Sequence, residues 1–422
     1  MYYSEEEIDE LIQPLVDRQI DINNKVIKKI ARRIKEIGEL LPSDIYMLEQ
    51  LAKTGADVRE INKMIAKLTA LQVTDIKKVI RKVAKNVYLG AKVFFDYRHK
   101  TFIPFEENEN VQRVVKAIEK QTSGTYQNIA KAQAFMVRDP MNPTVLKPTT
   151  IARTYQNTVD KAIQTVQMGL DYKSTMRDTL KEVVDSGIKE VVYETENGKI
   201  HTQRMDTALR RNILDGVRAV SQGVQDEVGK QFGADGYEIS VHACPAPDHC
   251  MIQGHQFAKS EYAKIAPVES IQSNGNIDTS VYDNSESAVD VNGKRYAPIK
   301  RKIGTLNCRH FAFAIIIGQA PPNYTEKQLQ DILDKNEKGY TDENGKHYTM
   351  YECTQLQRKL ETNIRRAKDG QIASKEAGDM ELAKKYQKKI DRYLQEYKQF
   401  SDACGLSLKP EKIRVDGYKK IR

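Results

Sequence analysis

Two short stretches decide how the middle of this 422-residue chain folds: Val241-His-Ala-Cys-Pro-Ala-Pro-Asp-His-Cys-Met-Ile-Gln-Gly-His255 and Gly304-Thr-Leu-Asn-Cys-Arg-His310. They contain four of the seven histidines and three of the five cysteines. Imidazole and thiolate are ligands that Zn²⁺ prefers, and four of them in a tetrahedron can hold together a loop-rich segment with little core. The two stretches therefore indicate a metal site built from two loops. The metal-capable residues are His242, Cys244, His249, Cys250, His255, Cys308 and His310.

The same residues also fit a site without metal. Hydrogen-bonded histidines and buried free cysteines occur in small α+β domains, and the spacing matches no standard zinc finger. From the residues alone, both interpretations stay open.

Catalytic motifs give little support for an enzyme. The zinc deaminase pattern, His-x-Glu with a later Pro-Cys-x-x-Cys, does not occur, and neither do His-Glu-x-x-His, Gly-x-Ser-x-Gly, Walker A or Gly-x-Gly-x-x-Gly. A nucleophilic pair of Cys308 with His249 or His310 stays open, because a thiol beside an imidazole can be activated as well as ligate a metal. We do not expect an enzyme.

Composition indicates a folded chain without a membrane span. Hydrophobic residues make up 40% of the chain and charged residues 30%, with a mean hydropathy of −0.61. The longest apolar run, Phe311–Ile317, is far short of the roughly 18 residues that a transmembrane helix needs. The acidic start, Met1–Glu7, does not resemble a signal peptide. Five cysteines are too few, and odd in number, for a disulfide framework, so we expect synthesis in a reducing cytosol.

The predicted fold class is mainly α with a small α+β His/Cys domain. Apolar residues recur at helical spacing before residue 139, and a Pro-rich stretch at 139–148 resembles a linker. The predicted segments are a helical N-terminal domain (1–148), a helical region with a short β-hairpin (149–236), a loop-rich, metal-stapled His/Cys α+β module (237–320), and a C-terminal helical hairpin with a basic tail (321–422).

Local patterns predict several elements within these segments. Val191–Glu194 and Ile200–Thr202 flank Asn197-Gly198, which suits a hairpin turn. An amphipathic helix is predicted over Met205–Phe232, and a strand over Tyr237–His242.

The C-terminal end of the chain is basic. Residues 381–422 contain twelve Lys or Arg against six Asp or Glu, which gives a net +6 of the whole chain's +9. Tyr386, Ile390 and Tyr393 form an apolar stripe that we expect in the core of the hairpin, and an extended tail is expected after Gly405. The opposite face would contact phosphates of double-stranded DNA without reading sequence, or would simply be solvated. The candidate nucleic-acid contacts are Lys384, Lys385, Lys388 and Lys389.

Around these motifs the chain resembles the minor capsid proteins of tailed phages and prophages of Gram-positive bacteria. Those proteins are helix-rich at the N-terminus and carry one His, a second His followed by Gln-Gly, and a later Asn-Cys-Arg-His. The matching positions here are His242, His249, Gln253-Gly254 and Asn307-Cys308-Arg309-His310. More remotely, the chain is similar to the Mu F-type head morphogenesis proteins, whose comparable segment uses Cys pairs and ends in Asn-Cys-Arg-Cys.

The resemblance implies a structural zinc, since His and Cys exchange at matched positions is what a shared metal site tolerates. The implied ligands are His242, His249, Cys308 and His310, with Cys244 and Cys250 as alternates. It also implies a low-copy virion protein, assembled in the host cytoplasm, that contacts portal and capsid proteins inside the head. Its role would be head assembly and DNA packaging or delivery. The alternative is a head-carried enzyme that uses the Cys/His cluster as a metal or thiol site.

Overall fold

The computed structural model describes residues 3, 5–39, 44–139, 141–194, 200–266, 286–300, 302–304, 308 and 310–421. The chain is mainly helical with several small sheets, which confirms the predicted fold class.

The helices and strands of the described residues are bounded as follows. The helices are α1 (Glu5–Gly38), α2 (Asp44–Gly90), α3 (Lys92–Tyr97), α4 (Glu109–Lys131), α5 (Ile151–Gln167), α6 (Tyr172–Ser186), α7 (Met205–Phe232), α8 (Lys259–Ile265), α9 (Glu326–Lys338), α10 (Met350–Glu376) and α11 (Met380–Cys404). The strands are β1 (Gln133–Arg138), β2 (Leu146–Thr150), β3 (Lys189–Glu194), β4 (Ile200–Arg204), β5 (Gly236–Ile239), β6 (Gln256–Ala258), β7 (Ala288–Val289), β8 (Arg295–Tyr296), β9 (Ala312–Ile315), β10 (Tyr340–Thr341) and β11 (His347–Tyr348). None of these helices combines the length and the apolar character that crossing a membrane requires.

The chain divides into two compact units, each assembled from three separate segments. Unit 1 consists of Met1–Gln13, Val73–Tyr126 and Arg210–Thr354, and unit 2 consists of Pro14–Gln72, Gln127–Leu209 and Gln355–Arg422. The boundaries fall inside α1, α2, α4, α7 and α10, because a helix that is continuous in sequence can bury its two ends in different cores. The four consecutive segments expected from the sequence do not coincide with these units, and whether any of those segments folds alone stays a prediction.

Unit 1 is built around the antiparallel sheet β6-β5-β9. Its long helix α7 has the bounds predicted from the sequence and packs on β9. The side-chain oxygens of Gln222 and Gln225 accept the N–H groups of Ala312 and Ala314 at 2.9 and 3.0 Å. Helix α7 therefore satisfies edge-strand donors that would otherwise be buried without an acceptor.

The strand predicted over Tyr237–His242 is shorter than expected, because β5 ends at Ile239. Beyond it, the N–H of Ser240 donates to the carbonyl of Phe311, and the N–H of His242 donates to the Gln253 side chain. The backbone thus leaves the β-ladder for a loop that is held by a side chain.

Unit 2 contains the sheet β2-β1-β3-β4 and a large apolar core. The predicted hairpin is confirmed as β3 and β4, and its Asn197-Gly198 turn lies outside the described residues. The linker predicted at 139–148 is wrong, because most of it forms the turn and second strand of the β1–β2 hairpin. Pro148 is tolerated there because β2 is an edge strand, where a missing N–H costs no ladder bond.

The C-terminal helical hairpin is confirmed as α10 and α11. The tail after Gly405 is not extended as expected but folds back along α10. The Nζ of Lys368 donates to the carbonyl of Ile413 at 2.7 Å, and the Nε2 of Gln371 donates to that of Lys419 at 2.8 Å. Buried donors on α10 therefore find their acceptors on the tail backbone.

Candidate metal centre

The two His/Cys stretches meet because three strand ends lie at one end of the unit 1 sheet. β5 is the central strand and ends at Ile239, which pairs with Ala312 at the start of β9. On its other side Glu238 pairs with Gln256 at the start of β6. The loop 240–255 and the residues that precede β9 therefore leave the sheet side by side.

Three of the predicted ligands form a buried cluster at this place. The Sγ of Cys308 lies 3.3 Å from Nδ1 of His249 and 3.4 Å from Nδ1 of His310. The three candidate ligand atoms all lie within 4.8 Å of one another, and each residue is at most 7% exposed. Among the described residues, His249, Cys308 and His310 form the group of three or more His, Cys, Asp or Glu side chains close enough to hold one metal ion.

Local turn geometry explains how His249 reaches the cluster. The N–H of His249 donates to the carbonyl of Ala246, and the N–H of Gly254 donates back to Ile239, which closes the loop. Gly254 has φ +74°, and a Cβ there would overlap the side chain of Leu329. The glycine of the Gln253-Gly254 pair is therefore required by backbone conformation and by close packing.

Gln253 connects two of the predicted ligands through one atom. Its Oε1 accepts the backbone N–H of His242 at 2.9 Å and lies 3.3 Å from Nε2 of His310. The side chain is 2% exposed. Gln253 belongs to the quoted motif, but no sequence pattern predicts its contact with the cluster.

The other predicted ligands are not part of this three-residue group. His242 lies against the cluster, with its ring centroid 4.3 Å from that of His310 in an edge-on arrangement. Cys244 and Cys250 do not join the three-residue group, and the Sγ of Cys250 donates to the carbonyl of Pro247 at 3.3 Å. Asn307 and Arg309 of the Asn-Cys-Arg-His motif lie outside the described residues. The five cysteines are all described, and they form no disulfide.

Electrostatics act on the protonation of two residues of the cluster, Cys308 and His310. Burial opposes ionisation of Cys308, but the hydrogen bond and the charge interaction with His249 outweigh it and lower the pKa of the thiol. Burial, together with the neighbouring His242 and His249, holds the pKa of His310 well below its usual value. A thiol that ionises more easily and an imidazole that stays neutral are both ready to ligate.

Arg218 is a charged neighbour that sequence reasoning missed. Burial lowers the pKa of its guanidinium, while the charge of Cys308 acts in the opposite direction. Gly304, at φ +80°, would place a Cβ against the same guanidinium. Arg218 lies on α7, about 90 positions before Cys308 in the chain, so no local pattern could have linked the two.

The four lysines proposed to contact nucleic acid lie on one exposed face of α11 in unit 2. Lys385 forms an ion pair with Glu381 at 3.2 Å, and the Nζ of Lys389 lies 5.4 Å from the ring centroid of Tyr386. Tyr386 and Ile390 are buried on the other face, as predicted.

A family model described as phage minor capsid protein 2 matches residues 4–402. The chain belongs to this family. The match confirms the resemblance to phage minor capsid proteins and gives this minor capsid protein a structural role in the capsid. Comparison with curated proteins and with solved structures finds no match.

Proposed function

We propose that this minor capsid protein is a low-copy virion component at the portal and the inside of the capsid. It acts in head assembly and in packaging or delivery of double-stranded DNA. The supporting observation is the family match, which extends over nearly the whole chain. Portal and capsid proteins are the partners that such a position requires.

Exposed apolar side chains among the described residues indicate which surface would contact another head protein. The apolar stripe of α1 is already buried within the chain, since Ile27, Ile30 and Ile34 are at most 4% exposed. In unit 1, by contrast, the side chains of Leu89 and Val93 are 50% and 62% exposed. They lie four residues apart at the end of α2 and the start of α3, which suits an apolar contact with a partner.

Replacing both side chains by aspartate tests this contact. We expect Leu89→Asp/Val93→Asp protein to lose co-purification with co-expressed portal or capsid protein, because a charge cannot be buried there without a counter-charge. The control is Met168→Asp/Leu170→Asp, which changes side chains that are 69% and 56% exposed in unit 2. If the control abolishes co-purification and the first variant retains it, the contact has been assigned to the wrong surface.

A structural zinc is proposed at the Cys/His cluster. Tetrahedral zinc, with bonds of about 2.3 Å to sulfur and 2.0–2.1 Å to nitrogen, separates those two atoms by roughly 3.5 Å. The two S···N distances in the cluster, 3.3 and 3.4 Å, are close to this value. His249, Cys308 and His310 would hold the metal, and the adjacent His242 is the candidate for the fourth position.

A thiol enzyme is the second candidate function. The observation in its favour is the short distance between Cys308 Sγ and His249 Nδ1, which also suits activation of a nucleophile. Cys308 is only 7% exposed, however, and both imidazole neighbours are buried with it, which favours ligation. Rapid alkylation of Cys308 in native protein that binds no zinc would favour the enzyme instead.

DNA contact is proposed for the exposed face of α11. Its support is the outward position of Lys384, Lys385, Lys388 and Lys389 above a buried apolar stripe, which leaves the ammonium groups available to phosphates.

A further inference from the structure

We infer that Gln253 is the positioning residue of the metal centre and that it commits His310 to coordinate through Nδ1. The inference rests on the proposed zinc site and assigns the atom by which a ligand binds. It starts from one oxygen that has two nitrogen neighbours: Gln253 Oε1 lies 2.9 Å from the backbone nitrogen of His242 and 3.3 Å from Nε2 of His310.

The backbone nitrogen decides which way the amide of Gln253 points. A peptide N–H can only donate a hydrogen bond, so the Gln253 atom opposite His242 must be the carbonyl oxygen and not the NH₂ group. The Nε2 of Gln253 meets no acceptor among the described residues, and turning the amide over would set two donors against each other. The orientation of the Gln253 amide is therefore fixed by the N–H group that donates to its oxygen.

The oxygen in turn decides the tautomer of His310. A carbonyl oxygen can only accept, so the Nε2 of His310 must carry the proton. In a neutral imidazole this leaves the lone pair on Nδ1, which is the nitrogen that lies 3.4 Å from Cys308 Sγ. Metal ligation requires a neutral imidazole, which is the form this tautomer represents.

His249 is arranged in the same sense. Its Nδ1 faces Cys308 Sγ, and its Nε2 lies 3.8 Å from the carboxylate of Asp248. A carboxylate on the Nε2 side favours a proton there, which leaves Nδ1 for the metal. Both imidazoles of the cluster would then bind zinc through Nδ1, with an oxygen behind each ring.

The test uses the full-length protein and zinc itself. In protein labelled with ¹⁵N in the histidine rings, we expect zinc to shift Nδ1 of His310 to the metal-bound range while Nε2 keeps its proton. Gln253→Leu removes the oxygen acceptor, and we expect zinc affinity, measured by competition with a chelator, to fall roughly 10- to 100-fold, the usual effect of losing such a partner. Gln253→Glu keeps an oxygen at this position and should restore most of the affinity.

Gln256→Leu is the matched control. Gln256 is 5% exposed in the same unit, and its side chain donates to Glu238 and to the carbonyl of Ala320, neither of which belongs to the cluster. We expect its loss to leave zinc affinity unchanged even where stability falls. Zinc bound to Nε2 of His310, or unchanged affinity in Gln253→Leu, overturns the role of Gln253 while the zinc site stands. Wild-type protein that binds no zinc overturns the proposed metal centre itself.

Discussion

Cys308 and Cys404 are both 7% exposed, yet they have different surroundings. Cys308 lies between two imidazoles in unit 1, whereas Cys404 is the last residue of α11 in unit 2. Replacing either cysteine by alanine removes the same buried thiol. Comparing the two variants therefore separates the loss of stability caused by lost packing from the loss caused by a missing candidate ligand.

We predict that Cys308→Ala abolishes zinc binding and that Cys404→Ala does not. Elemental analysis should show about one zinc per chain in the wild type and in Cys404→Ala, because a closed site holds a single ion. The metal supplies folding free energy, so a chelator should lower the thermal stability of both of these proteins and leave Cys308→Ala unaffected. Retention of zinc by Cys308→Ala would remove the basis for the site.

The residues of this cluster could be predicted from the sequence as candidate ligands, but their arrangement could not. His249, Cys308 and His310 were identifiable because metal-capable residues are concentrated in two short strings. Gln253 and Arg218 were not, since an amide and a guanidinium carry no signal of their own. Their roles depend on which strand ends lie together, and that is a property of the sheet.

At the scale of elements, the close approach of α10 and α11 depends on one glycine. A Cβ on Gly370 would overlap the ring of Tyr386, which is only 5% exposed and has little room to move. For Gly124, in α4, the described residues place no atom within 4 Å of the position a Cβ would take, apart from the backbone of its own helix. The same substitution therefore meets a packed interface in one helix and open space in the other.

We predict effects of opposite sign for these two glycines. Gly124→Ala should stabilise the protein by up to about 1 kcal/mol, because alanine loses less backbone entropy in a helix. Gly370→Ala should destabilise it by roughly 1–3 kcal/mol through overpacking. Denaturant unfolding followed by circular dichroism measures both, and hydrogen exchange should localise the second effect to α10 and α11. Stabilisation by Gly370→Ala would show that the two helices do not pack this closely.

Elements with strong periodicity were predictable, and those that depend on pairing were not. The bounds of α7 and the α10–α11 hairpin followed from apolar spacing. Strands β1 and β2 were not predicted, because the prolines at 140, 143 and 148 are typical of a linker. The Pro148 position is compatible with a strand only because β2 lies at a sheet edge, which the sequence does not reveal.

At the scale of the whole molecule, the segments that form a unit are distant in sequence. Unit 2 combines residues 14–72, 127–209 and 355–422, so its α10–α11 hairpin and the N-terminal helix α1 contribute to one core. Consecutive domains could not be expected to reproduce this, because local patterns report which face of a helix is apolar and not which partner covers it. Experiments on the basic hairpin therefore need the full chain, since an excised fragment would expose its share of that core.

The basic face of α11 gives the last prediction, which separates contact with DNA from a merely solvated surface. Lys384, Lys385, Lys388 and Lys389 are exposed, and binding through them would be non-specific and dependent on salt. If all four neutralise phosphates on duplex DNA, the slope of log affinity against log salt should be roughly −3.6 in the full-length protein. Changing all four to glutamine should flatten the slope towards zero without unfolding the hairpin, whose apolar stripe faces the other way.

The matched control for this measurement is Lys63, Lys67, Lys77 and Lys78, four lysines on α2 that are replaced together by glutamine. The control removes the same charge from the chain, so a slope that depends on net charge alone would flatten equally in both variants. A slope that flattens only in the α11 variant assigns the phosphate contacts to that helix. Absence of binding at low salt in the wild type, or binding that does not respond to salt, would mean that the face is solvated or docks on protein.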